Sequence, residues 1–164
     1  MAKIRKAYQG RKYVAKNPLK TFFGGMQETH YEHLQTTLLI NHASMANMAR
    51  GMGDKEDWDR IVGAINIALI MTEQGSAPDH VELLKQAQAA LIEVGKRAVK
   101  NNMRFLFKGP ELGVLNDAME VHDLQLQTAR AIDIDRAADE VTKRVRHKIN
   151  STNIMREIAK EATC

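Results

Sequence analysis

The chain has 164 residues, of which 44% are hydrophobic and 27% charged, with 24 Lys and Arg against 20 Asp and Glu for a net charge of +4. That length suffices for one domain that buries roughly 70% of its extended surface without staples. Its longest apolar stretch, Ile61 to Met71 broken by Gly63 and Asn66, is about half the ~20 residues a bilayer crossing needs. The single cysteine, Cys164, is the last residue, which rules out an intrachain disulfide and suits a reducing cytoplasm.

Residues 1–27 carry seven cations (Lys3, Arg5, Lys6, Arg11, Lys12, Lys16 and Lys20) and no Asp or Glu. No apolar block follows the charge, so the segment is not a secretory signal. An organelle transit peptide does not fit the lack of Ser enrichment or the breaks at Gly10, Pro18 and Gly24-Gly25. Asn17-Pro18 and the glycine pair disfavour helix, so the segment reads as a largely extended basic arm. Tyr8, Tyr13, Phe22 and Phe23 stand in it, half of all the aromatic residues.

From residue 28 the pattern becomes helical. Tyr31, Leu34, Leu38, His42, Met45 and Ala49 recur at steps of three and four and predict one helical face, closed by Gly51 and Gly53. Asp54 caps a second helix with Glu56 and Asp57 in its first turn. There Trp58, Ile61, Ile65, Ala68 and Thr72 form a stripe, and further apolar residues on the other sides mark a central helix that ends at Gly75. Ser76-Ala77-Pro78-Asp79 reads as a Ser-capped start of a third helix, with Val81, Leu84, Ala87, Leu91, Val94 and Ala98 inward to about Lys100.

Asn101-Asn102 ends the third helix, and Met103–Phe107 forms a short apolar connector. A fourth helix opens at Gly109-Pro110-Glu111, with a stripe of Leu112, Leu115, Met119, His122, Leu126 and Ala129. A fifth carries Ile134, Ala138, Val141, Val145 and Ile149, before a break at 151–153 and a short last helix. The expectation is an all-α antiparallel bundle of about five to six helices over residues 28–150, with arm 1–27 in front and a short helix or tail, 151–164, behind.

His42 and His122 lie on apolar stripes and Asn66 interrupts the most apolar helix, which predicts a buried polar network of these three. A metal-binding bundle built on His42 and His122 is the weaker alternative. Glu120 and His122 are two apart, not three as inward metal ligands require, and His30 and His33 lie off the stripe. No serine elbow, positioned cysteine or phosphate loop occurs, so neither an enzyme nor a cofactor is expected. Anion or partner contacts are expected from the seven arm cations with Tyr13, Phe22 and Phe23, and from Arg146 and Lys148. In the second basic cluster, Asp139 and Glu140 stand four residues before Lys143 and Arg144, the spacing for helix-surface ion pairs. Met45, Met48 and Met52 follow helical spacing and read as core filler.

The run Tyr13 to Gly25, the pair Asn41-His42 and the run Lys108-Gly109-Pro110-Glu111-Leu112 resemble uncharacterised small helical proteins of proteobacterial phages and prophages. The resemblance covers about residues 13–150 and transfers no functional residue. It implies a bacterial-cytoplasm setting and a mobile-element accessory role, exercised by binding a host regulator, a defence complex or nucleic acid. The combined expectation is a non-enzymatic binding protein that regulates or inhibits a host or defence complex. The alternative is direct nucleic-acid binding through the arm. No membrane partner is expected, and self-association is left open.

Overall fold

A computed structural model describes residues 31–146, with side chains from Leu34 onward. Five helices and one 3-10 turn follow in order: α1 Tyr31–Ala49, α2 Lys55–Glu73, the turn Pro78–His80, α3 Val81–Lys100, α4 Gly109–Thr128 and α5 Ala131–Arg146. The described residues contain no strand, only an isolated antiparallel bridge between Gly53 and Phe105. No helix among them is long and apolar enough to cross a membrane. The expected arm, the last two residues of the basic cluster (147 and 148) and the C-terminal helix lie outside the described residues.

Helix α2 is the axis of the bundle and touches each of the other four helices. Trp58, Ile61, Ile65 and Ala68 are almost completely buried, and Ala64, Leu69, Ile70 and Met71 join them on other sides. Such all-round apolar character is what a central helix needs. Neighbours run in opposite directions: Trp58 Nε1 donates to the Leu91 carbonyl at 3.0 Å, while Asn66, further along α2, accepts from Gln88 at 2.7 Å, earlier in α3. Helix α5 crosses the far end of α2, where Ile134, Ala137 and Val141 cover Ile67, Ile70 and Met71.

The helix ends explain the loops. In α1 the Gly51 N–H donates to Met48 O and the Met52 N–H to Asn47 O, a Schellman closure with Gly51 at φ +73°. Helix α2 ends the same way, Gly75 (φ +99°) donating to Thr72 O and Ser76 to Met71 O. Ser76 is therefore consumed in closing α2 and does not cap α3, contrary to the expectation from its sequence context. Ala77 and the 3-10 turn intervene, and His80 precedes α3 without a side-chain cap. Asp54 does cap α2, in a reciprocal box with Asp57.

The face of α1 is rotated by about one residue from the expected stripe. Leu34, Leu38, Asn41, Met45 and Met48 point inward, while His42 and Ala49 point out. Leu38 and Met45 belong to both possible stripes, so spacing alone does not choose between positions 41 and 42, which lie about 100° apart on a helix.

Candidate functional site

Two polar features stand out against this frame. The first is a seam between α1 and α4. Asn41 Nδ2 lies 3.3 Å from His122 Nε2, and His42 Nε2 lies 2.6 Å from Asp123 Oδ2. With Asn41 as donor, His122 Nε2 accepts and its proton resides on Nδ1. Burial pushes the His122 imidazole down to about 4, against the Asp123 carboxylate, which raises it, and together with His42, which lowers it further.

His42 is half exposed, its side chain at 52%, because its helical position faces the edge of the seam. The expected network of His42, Asn66 and His122 therefore does not form. Each has its own partner: Asp123 for His42, Gln88 for Asn66 and Asn41 for His122. Among the described residues no group of three or more His, Cys, Asp or Glu is disposed to hold a metal ion. Ser44, two residues beyond His42, is buried on another side of α1, so it offers the His42–Asp123 pair no hydroxyl nucleophile.

The second feature is a cleft at one end of the bundle, where the α1–α2 loop meets the α3–α4 connector. The Gly53–Phe105 bridge joins the two segments, and the Phe107 N–H reaches Met48 O at 3.5 Å. Phe105 stacks obliquely on Trp58 with ring centres 5.7 Å apart, so the connector is anchored in the core. Gly53 permits this closeness, because a Cβ there would lie 2.9 Å from Met48 Cα.

The resulting cleft has a volume of about 970 Å³, with Gly51–Gly53 on one side and Arg97, Lys100, Asn101–Arg104, Leu106 and Lys108 on the other. Among the described residues it is lined by four cations and no carboxylate. Arg97 is committed to the frame: it holds Glu111 through two bonds of 2.9 and 2.7 Å and donates to the Leu106 carbonyl at 2.8 Å. Burial tends to raise the Glu111 pKa, but Arg97 and the Lys108 N–H more than offset this and hold the carboxyl below its ordinary range. Lys100, Arg104 and Lys108 are exposed and make no ion pair among the described residues.

A smaller cleft of about 500 Å³ lies where α2 ends and α5 begins, lined by Met71, Gln74–Ser76, Thr128–Arg130 and Asp133. Its one cation among the described residues, Arg130, is neutralised by Asp133 at 2.7 and 3.0 Å. That contrast makes the loop-built cleft the stronger candidate for an anionic partner.

Of the residues singled out from sequence, Lys3, Arg5, Lys6, Arg11, Lys12, Tyr13, Lys16, Lys20, Phe22, Phe23 and Lys148 lie outside the described residues. Arg146 is exposed at the end of α5. Arg144 reaches both Glu140 (3.0 Å) and Glu73 (2.7 Å), and Lys143 reaches Glu140 (3.6 Å), so this part of the second cluster is an ion-paired helix face. Lys100, Arg104 and Lys108 are not among the site residues expected from the sequence. The available signal was the stretch Lys96–Lys108, which holds five cations and no acid. No protein-family model, curated protein or solved structure matches the chain.

Proposed function

We propose that this chain is a non-enzymatic binding protein that docks an anionic macromolecular partner, acting as a regulator or inhibitor in a bacterial mobile-element setting. The observation that carries the reading is the loop-built cleft: Lys100, Arg104 and Lys108 are exposed in it, make no ion pair among the described residues and have no described carboxylate beside them in its lining. Cations concentrated in a concave site raise the local potential and favour negatively charged partners. The acid-free first 27 residues add seven further positive charges to the same chain.

The resemblance to phage and prophage proteins supplies the setting, the bacterial cytoplasm. The test is capture from bacterial lysate by tagged full-length protein, set beside a Lys100→Glu/Arg104→Glu/Lys108→Glu variant and run with and without nuclease. A partner retained by the unmodified chain and lost by the charge-reversed one supports the reading. Identical capture by both refutes the cleft's role.

Direct nucleic-acid binding is the second reading, favoured by the cations and aromatics of residues 1–27. Partner loss on nuclease treatment is its signature. For about five phosphate contacts on a duplex, affinity would fall with salt at a log–log slope of about −4.5.

A further inference from the structure

The cleft displays apolar side chains as well as charge. Met52, Met103 and Leu106 are 64%, 48% and 41% exposed, and all three line it alongside Lys100, Arg104 and Lys108. Leu106 and Arg104 reach across to the opposite loop, where a Cβ on Gly51 would meet Leu106 Cδ1 at 3.4 Å and Arg104 Nη2 at 3.8 Å. Cation and apolar group thus occupy one surface.

Met103 sits at φ +60°, directly after Asn102 at φ +52°. That left-handed region suits glycine and strains a residue with a long side chain. A half-exposed methionine held there contributes little packing to set against the strain. Strain of this kind clusters at active sites, ligand clamps and switch regions.

The same loops are poorly equipped for nucleic acid. The N–H groups of Gly51, Met52, Met103 and Arg104 already donate to Met48, Asn47, Ala98 and Asn101 carbonyls, which removes them from any phosphate cradle. Phe105 and Phe107 turn inward and are buried, and among the described residues no aromatic lines the cleft, so these loops offer no ring on which a base could stack. Methionine and leucine beside Lys and Arg instead match a segment that alternates carboxylates with aliphatic side chains.

We infer that the cleft docks an acidic segment of a protein partner, its carboxylates on Lys100, Arg104 and Lys108 and its apolar side chains on Met52, Met103 and Leu106. This rests on the binding-protein reading above and adds the partner's chemistry.

The experiment titrates the full chain by fluorescence anisotropy against three labelled probes of equal length. They are an amphipathic peptide of Glu and Leu, a polyglutamate, and a single-stranded oligodeoxynucleotide. The amphipathic peptide should bind at least about tenfold tighter than either of the others. Lys100→Glu/Arg104→Glu should abolish that binding. Met52→Ser/Met103→Gly should reduce the peptide to the affinity of polyglutamate while circular dichroism and melting show an intact fold, since glycine relieves the backbone at 103.

An oligonucleotide that binds as well as the peptide and loses that binding in Lys100→Glu/Arg104→Glu, or a peptide no better than polyglutamate, overturns the inference and leaves the anion-docking function standing. If none of the probes binds and the charge-reversed chain captures the same partners as the unmodified one, both fall together.

Discussion

Acid should destabilise this protein through His122, well before most carboxylates are protonated. The imidazole is 2% exposed, and its folded-state pKa is about 4 against an ordinary 6.5. Protonation would bury a charge and place an Nε2–H against the Asn41 amide, which already donates there. The folded state therefore prefers the neutral ring. The stability this represents is intact above pH 6.5, declines as the pH falls because the unfolded chain takes up the proton first, and is fully lost below about 4. At roughly 1.4 kcal/mol per pKa unit, the full loss is about 3 kcal/mol, of which roughly 2 kcal/mol falls between pH 7 and pH 5.

Urea unfolding of the full chain and of His122→Gln at pH 7, 6 and 5 measures it. Glutamine can accept from Asn41 but does not titrate, so other groups cancel in the comparison. The unmodified protein should lose roughly 2 kcal/mol more than the variant across that range. Parallel pH profiles for the two proteins would falsify the assignment of the acid sensitivity to this ring.

Three substitutions test the packing. Trp58→Phe removes the bond to Leu91 O and leaves unfilled volume in the core, which should cost about 1–3 kcal/mol in chemical denaturation. Gly63 lies within α2 with nothing near a Cβ, so Gly63→Ala should raise stability by about 0.5–1 kcal/mol. Gly53→Ala drives its Cβ towards the Met48 backbone and should lower stability by about 1–3 kcal/mol. Equal melting temperatures for the two alanine variants would contradict the account of the loop.

Most of the helical frame was readable from spacing, and the reason is visible in α2. Trp58, Ile61, Ile65, Ala68 and Thr72 share one face, and all are buried. Helix α1 was harder, because Asn41 and Ser44 are buried polar residues while Leu39 and Ile40 are exposed apolar ones. With hydropathy contradicting burial at neighbouring positions, periodicity points to His42 in place of Asn41. Gln88 and Gln125 were invisible for the same reason. Gln125 Nε2 is buried by bonds to Thr72 Oγ1, Ala68 O and Ser76 O, partners about fifty residues away in the chain. The cleft needed tertiary knowledge too, since the bridge that closes it joins Gly53 to Phe105. Its cations lay in plain view in the sequence, whereas their alignment with Met52 did not.

The chain's only tryptophan, Trp58, lies directly behind the bridged connector, against Phe105. Indole emission is sensitive to small displacements of a neighbouring ring, so anything that settles between the two loops and shifts Phe105 should change the protein's intrinsic fluorescence. The molecule thus carries its own optical gauge of occupancy, and candidate partners can be ranked in solution with no attached dye.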